Sequence, residues 1–274
     1  MSSKSAVRVR GLRKRYGGKA AVDGIDLDIE YGECFALLGP NGAGKTTTVE
    51  ILEGHRTKDE GEVHIGPSKA EIGIVLQEAA DAGDLTVREM VSHFAGYYPN
   101  PRDPMELIEF VGLPAGRRIR TLSGGQRRRL DVALGLVGRP KLLFLDEPTT
   151  GFDPEARRQF WDLIRAFEGT AGTTILLTTH YLEEAEALAD RVAVIVNGRI
   201  VAEGDPKTLG GRATAKATVL WRNANGTKDD GTTVEALTDD PVKYIREHPG
   251  DMPGLTVTRP SLEDIYLQLI GEHR

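Results

Sequence analysis

Gly39-Pro40-Asn41-Gly42-Ala43-Gly44-Lys45-Thr46 has the form G-x-x-x-x-G-K-T, the pattern of a loop that wraps phosphate. The apolar run Cys34 to Leu38 precedes it and suits a buried strand. Thr47 to Leu52 lacks Gly and Pro and predicts a helix behind it. Glycines let the backbone turn tightly and aim its N–H groups inward, and a helix N-terminus favours a polyanion. Asn41, Gly42, Ala43, Gly44 and Thr47 are therefore expected around the phosphates of a nucleotide. Lys45 is expected on the outer phosphates and the Thr46 hydroxyl on Mg²⁺. Alone, the loop specifies a nucleotide and nothing more.

The chain of 274 residues has room for one large α/β domain and a small appendage. A net charge of −6 and a pI of about 5.6 argue against a protein whose main business is wrapping nucleic acid. The single cysteine, Cys34, makes no intrachain disulfide, sits in the apolar run and fits a reducing compartment. No apolar run reaches the roughly 18–20 residues that span a bilayer. The N-terminus is basic but has no apolar stretch behind it, so no signal peptide is expected. The expectation is a soluble protein whose role at a membrane would need a partner.

Val7 to Arg10 alternates like a half-exposed strand, and Arg13 to Gly18 reads as a basic turn. Val22 to Ile29 alternates again, apolar on one face and acidic on the other, which suits an antiparallel strand wet on one side. Glu62–Ile65 and Ile72–Leu76 are further strands. Val87–Tyr97, Met105–Val111 and Gly124–Leu136 have helical spacing and read as a helical insertion over about residues 86–137. Strands return at Leu142–Leu145 and Thr174–Thr178, with a helix from Pro154 to Phe167 between them, a unit that fits parallel pairing. Asn197-Gly198 between Val192–Val196 and Arg199–Ala202 signals a two-residue hairpin. Beyond Pro206 the composition loosens around strands at Thr218–Trp221 and Leu255–Thr258. Ser261-Leu262-Glu263-Asp264 then opens a last helix with a capping box. Residues 1–210 are expected to form the nucleotide-binding domain and 211–274 a separate C-terminal module.

Two further stretches carry chemistry. Leu142 to Leu145 is an apolar strand ending in Asp146 and Glu147, which would emerge at the carboxyl edge of a parallel sheet. Asp146 suits the Mg²⁺ shell and Glu147 suits polarising an attacking water. Leu122-Ser123-Gly124-Gly125-Gln126, followed by Arg127-Arg128-Arg129, places Ser at a helix start and forms a second N-terminus able to receive an anion. One chain thus carries two phosphate-type sites and one P-loop lysine.

In the order and spacing of these motifs the chain resembles the nucleotide-binding subunit of an ATP-binding cassette transporter, over roughly Val7 to Leu209. The resemblance implies a P-loop NTPase, RecA-like α/β core with an antiparallel β subdomain, a helical insertion and a small C-terminal α+β extension. It implies ATP and Mg²⁺, and a head-to-tail pair in which Ser123, Gly124, Gly125 and Gln126 contact the γ-phosphate held by the other copy. It also assigns single residues. Tyr16 would stack on adenine, Gln77 would join the Mg²⁺ and water shell, and His180 would be the switch histidine on the γ-phosphate. Gly151-Phe152-Asp153 would be the dimer-contact loop, with Asp153 near the nucleotide, although the family more often has Leu where Phe152 stands.

By the same resemblance, Glu78–Leu85 faces the coupling helices of an integral membrane permease, and the chain lies at the cytoplasmic face of the membrane through that partner. Pro260–Asp264 is similar to the C-terminal extension of drug- and antibiotic-exporting cassettes. Dimer stabilisation, permease binding and a simple cap on the core all remain open for it. Drug or small-molecule export is the leading expectation. The alternatives are a DNA-repair or ribosome-associated ATPase, an importer or lipid-export ATPase, and a non-catalytic module, which the intact Lys45, Asp146, Glu147 and His180 disfavour.

Overall fold

The computed structural model describes residues 5–75, 83–212, 214–222, 233–248 and 252–272. The chain folds as two compact units, Met1–Glu203 and Gly204–Arg274.

The first unit opens with β1 (Ser5–Tyr16) and β2 (Lys19–Glu30), followed by the wholly buried β3 (Cys34–Leu38) and α1 (Lys45–Leu52). β4 (Glu60–Ile65) and β5 (Ile72–Val75) lead to α2 (Val87–Ala95), α3 (Pro104–Phe110) and α4 (Gly124–Leu136), which pack on one another as the expected helical insertion. β6 (Leu142–Asp146), α5 (Pro154–Ala171), β7 (Thr174–Thr179), α6 (Leu182–Leu188), β8 (Arg191–Val196) and β9 (Arg199–Gly204) complete it.

These strands make two sheets. β2-β1-β4 is antiparallel, and the second has the order β5-β6-β7-β3-β8-β9. From β5 to β8 every neighbour in the larger sheet is parallel. β3 and β7 are buried at every position and β6 at all but its last, so their apolar runs are those of strands covered on both faces. Val7, Val9, Val22 and Ile25 from the antiparallel sheet share one core with Phe35, Leu37, Val49, Phe144 and Leu176. Among the described residues no helix is long and apolar enough to cross a membrane.

The structure departs from the expected elements at several points. β1 does not end at Arg10: it runs to Tyr16, and Gly17-Gly18 makes the turn. Ion pairs beside the strand keep its basic residues extended, with Arg13 bonded to Asp23 of β2 and Lys14 Nζ 2.7 Å from Asp59, just before β4. α1 starts at Lys45 rather than Thr47, and α5 continues past Phe167. α6 was not anticipated, because its N-cap Tyr181 offers no side-chain cap to mark a start. The Asn197-Gly198 hairpin is present, with both residues at positive φ (49° and 78°), as a two-residue turn requires.

The second unit holds β10 (Ala217–Arg222), β11 (Thr233–Thr238), α7 (Pro241–Glu247), β12 (Thr256–Thr258) and α8 (Leu262–Glu272). Its sheet has the antiparallel order β11-β10-β12. β11 and α7 add to the two strands and one helix read from the sequence. Ser261 Oγ accepts from Asp264 N at 3.1 Å while Asp264 Oδ2 accepts from Ser261 N at 2.7 Å, so α8 opens with the expected capping box.

Candidate nucleotide site

Register brings the chemical residues together. In the parallel sheet Leu38 lies opposite Thr179, and Asp146 lies opposite Thr178. The chain therefore leaves β3, β6 and β7 at one level, with Gly39, Glu147 and His180 following those strand ends. This is the carboxyl edge, where open α/β sheets collect their ligands.

At this edge the Gly39–Thr46 loop is held tightly. Gly39 N donates to Thr179 O at 3.3 Å, and Ala43 O accepts from Gly198 N at 2.9 Å. A Cβ on Gly39 would stand 2.4 Å from Ile195 O. Gly44 sits at φ 109° with a hypothetical Cβ 2.3 Å from Ala21 O, so no side chain fits at either position. α2 to α5 each receive a side-chain cap, from Thr86, Asp103, Ser123 and Asp153. α1 receives none from Gly44 and carries no acid in its first turn. Its leading N–H groups have no intrahelical acceptor and are left for an anion.

Lys45 is 4% exposed; its Nζ donates to Gly39 O at 2.8 Å and Pro40 O at 3.2 Å, and lies 3.2 Å from Glu147 Oε1. Glu147 Oε2 accepts from Thr150 Oγ1 at 3.2 Å. His180 Nδ1 approaches the same oxygen to 3.3 Å without making a hydrogen bond, and that buried nitrogen is unsatisfied. Burial opposes ionisation of Glu147, yet the Lys45 ammonium, His180 and Thr150 together hold its carboxyl below the ordinary range. The neighbouring Asp146 goes the other way. Burial raises it, Glu147 adds to that, and the hydroxyls of Thr178 and Thr46 bond to it and only partly compensate.

ATP and Mg²⁺ fit these residues. Among the described residues no cluster of three or more His, Cys, Asp or Glu makes a self-sufficient metal cage. Thr46 and Asp146, already bonded to each other, offer two hard oxygens. That donor set suits Mg²⁺, which keeps waters and takes substrate phosphates as ligands.

The remaining predicted residues fall into separate places. Tyr16 ends β1 with 42% of its surface exposed, and Arg56 holds its guanidinium carbon 5.3 Å from the ring centroid. Ser123 and Gln126 cap α4 reciprocally: Ser123 Oγ accepts from Gln126 N at 3.3 Å and Gln126 Oε1 from Ser123 N at 3.2 Å. Together with Gly124, Gly125, Glu147 and Asp153 they line a pocket of about 890 Å³. Asp153 Oδ1 accepts from Glu155 N and Ala156 N, both at 2.9 Å, and so caps α5. Phe152, in place of the usual leucine, packs edge-on to the buried Phe160 with centroids 6.1 Å apart. Gln77 and most of Glu78–Leu85 lie outside the described residues.

Two buried charges at the site were not read from the sequence. Arg128 donates from Nε to Pro148 O at 3.0 Å and from Nη2 to Asp146 O at 3.2 Å. Glu184 of α6 is fully buried and accepts from Thr149 Oγ1 at 2.8 Å and Trp161 Nε1 at 3.2 Å. Arg128 shares a helix face with the buried Val132, Gly135 and Leu136 at i+4, i+7 and i+8, and that spacing was the available signal.

Residues 22–150 match the family model described as "ABC transporter". The chain is 38% identical to the Nod factor export ATP-binding protein I of Ralstonia nicotianae, covering 99% of this chain and 95% of that one. This chain belongs to the ABC transporter family. It binds ATP as a cassette of that family, whose activity is ATP hydrolysis coupled to transport. The cassette is also 38% identical to the daunorubicin/doxorubicin resistance ATP-binding protein DrrA of Streptomyces peucetius, over 97% of this chain and 92% of that one. Among solved structures it is similar to cbiO1 of Clostridium perfringens, part of the ABC transporter complex cbiONQ. That match has a TM-score of 0.67 and 29% identity, over 75% of this cassette and 90% of that chain. A dimeric cassette in a post-hydrolysis state bound to ADP and Pi shares the fold, with a TM-score of 0.64 and 24% identity over 73% of this chain and 98% of that one.

Proposed function

We propose that this cassette powers the export of a drug or other small molecule through a separately encoded membrane permease. Two copies close head to tail on two ATP molecules, hydrolyse them and reopen, and the cycle drives the permease between inward- and outward-facing states. The cluster of Lys45, Glu147 and His180 at the carboxyl edge carries the catalytic part of the proposal. Relatives named for Nod factor export and for drug resistance, similar over nearly their whole length, support the transport part.

In this mechanism Lys45 and the first turn of α1 bind the outer phosphates and orient them. Thr46, Asp146 and Gln77 would hold Mg²⁺, which would supply charge neutralisation on those phosphates. Glu147 takes the proton of the attacking water, and His180 donates to the γ-phosphate. Ser123, Gly124, Gly125 and Gln126 of the second copy close over the same phosphate, and Asp153 lines the contact between copies. Tyr16 stacks on the adenine. Residues 1–210 act as the cassette, with 86–137 as its helical subdomain, and residues 211–274 serve as an accessory module. The assembly sits at the cytoplasmic face of the membrane through its permease, with no part for nucleic acid.

The test is co-purification with a polytopic membrane protein, sought first in the adjacent reading frame, followed by ATP-driven transport in vesicles. A stable complex that loses transport on Glu147→Gln supports the proposal. Failure to associate with any such neighbour, with full ATPase activity alone, contradicts it.

A further inference from the structure

Glu147 is one of only three non-glycine residues with positive φ among the described residues, at 43°. A glutamate gains nothing from the left-handed region and holds it only where its surroundings impose it. The backbone on both sides of Glu147 is pinned. Its own N–H donates to Thr178 O at 3.1 Å and to Thr178 Oγ1 at 3.0 Å. The carbonyl before it, on Asp146, and the carbonyl after it, on Pro148, both accept from Arg128.

Arg128 is only 7% exposed, and its third nitrogen, Nη1, lies 3.9 Å from Asp131 Oδ2. Its planar fork is the one side chain suited to bridging two carbonyls at fixed spacing. It stands in the first turns of α4, the helix whose N-terminus is capped by Ser123 and Gln126. A single buried guanidinium therefore connects the helix that presents the signature residues to the backbone that aims Glu147.

We propose that Arg128 is a positioning residue for Glu147: it fixes the left-handed turn at the end of β6 and ties the aim of the carboxylate to the placement of Ser123–Gln126 in the same chain. The inference rests on the proposed role of Glu147 as the group that receives the proton from water. Thr178 fixes the strand side of the turn, and Arg128 fixes the helical side. Loss of the fork should leave nucleotide binding in place and misdirect the carboxylate.

The experiment measures single-turnover hydrolysis of Mg-ATP by the full chain, scaled to the fraction that binds a fluorescent ATP analogue. Losses from poor folding then do not count as losses of chemistry. Arg128→Gln should slow hydrolysis roughly 10–100-fold, with nucleotide affinity unchanged within about threefold. Arg128→Lys keeps the charge but lacks the fork, and should be slowed at least about tenfold. In a Glu147→Gln background, Arg128→Gln should alter the residual rate by less than about threefold, because the group it positions is already gone. Recovery of near-normal turnover by Arg128→Lys would reduce Arg128 to a buried charge and overturn the proposal. Losses that multiply in the double variant would overturn it as well. Normal turnover by Glu147→Gln alone would instead overturn the role of Glu147, which keeps the two failures apart.

Discussion

Lys45 and Glu147 form an ion pair, with Nζ 3.2 Å from Oε1, inside a loop that otherwise surrounds the ammonium with the carbonyls of Gly39 and Pro40. The lysine that the loop motif directs to phosphate is thus also the largest influence holding the Glu147 carboxyl below its ordinary range against its burial. In the proposed mechanism a phosphate on Lys45 would compete for that charge and make the Glu147 carboxylate a better proton acceptor.

Lys45→Ala should weaken ATP binding about 10–100-fold, the range for losing a charge-assisted contact to phosphate. It should also raise the Glu147 pKa, because the Lys45 charge holds it down. Equilibrium titration with a fluorescent nucleotide checks the first effect, and carboxyl NMR checks the second. Unchanged affinity would count against Gly39–Thr46 as the phosphate loop.

Glu147→Gln should reduce hydrolysis by about 10²–10⁴-fold while leaving binding intact, the loss expected when a general base is removed. ATP-dependent dimers should then accumulate and be visible by size-exclusion chromatography. Turnover close to that of the natural chain would exclude Glu147 as the base.

Tyr16 is exposed and carries Arg56 against its ring, with Arg56 Nε held by Glu50 Oε2 at 2.5 Å. If adenine stacks there, Tyr16→Ala should raise the KM for ATP by roughly 5–150-fold, with a far smaller effect on kcat. Tyr16→Trp should recover most of the loss. Equal KM in all three chains would place the base elsewhere.

Much of this site was legible because its residues stand at the ends of distinct patterns. Leu142–Leu145 is an apolar run that stops at two acids, and Gly39–Thr46 separates a strand from a helix. The positions that escaped depend on distant partners. Arg13 and Lys14 read as a turn because the acids that keep them in β1, Asp23 and Asp59, are not neighbours in sequence. Arg128 reads in sequence as part of a basic run at an anion-receiving helix N-terminus, and its carbonyl partners lie across the fold. Glu184 sat in an acidic stretch whose sequence gave no sign that one member was buried beneath Thr149 and Trp161.

Glu53, at the end of α1, is pushed up to about 7 by burial, with Asp146 and Glu50 adding to the effect. Its folded-state pKa lies above its unfolded value, so the folded chain binds the extra proton, and stability falls as pH rises from about 4.5 to 7. Glu53→Gln removes that titration. The variant should be more stable than the natural chain at pH 8 by about 1–3 kcal/mol, and the gain should vanish below pH ~4.5. Urea unfolding at pH 4.5 and 8 checks the sign, and an equal difference at both values would refute it.

The central claim is that one nucleotide site needs two copies of this chain, the loop at Lys45 from one and Ser123–Gln126 from the other. Mixing a Lys45→Ala chain with a Ser123→Arg chain tests it most directly. In half of the pairs the two variants meet, and one of the two shared sites is then free of both changes. The mixture should therefore recover about a quarter of the natural ATPase rate, if the sites act independently. A mixture no more active than the average of its two inactive parents would contradict a site shared between chains.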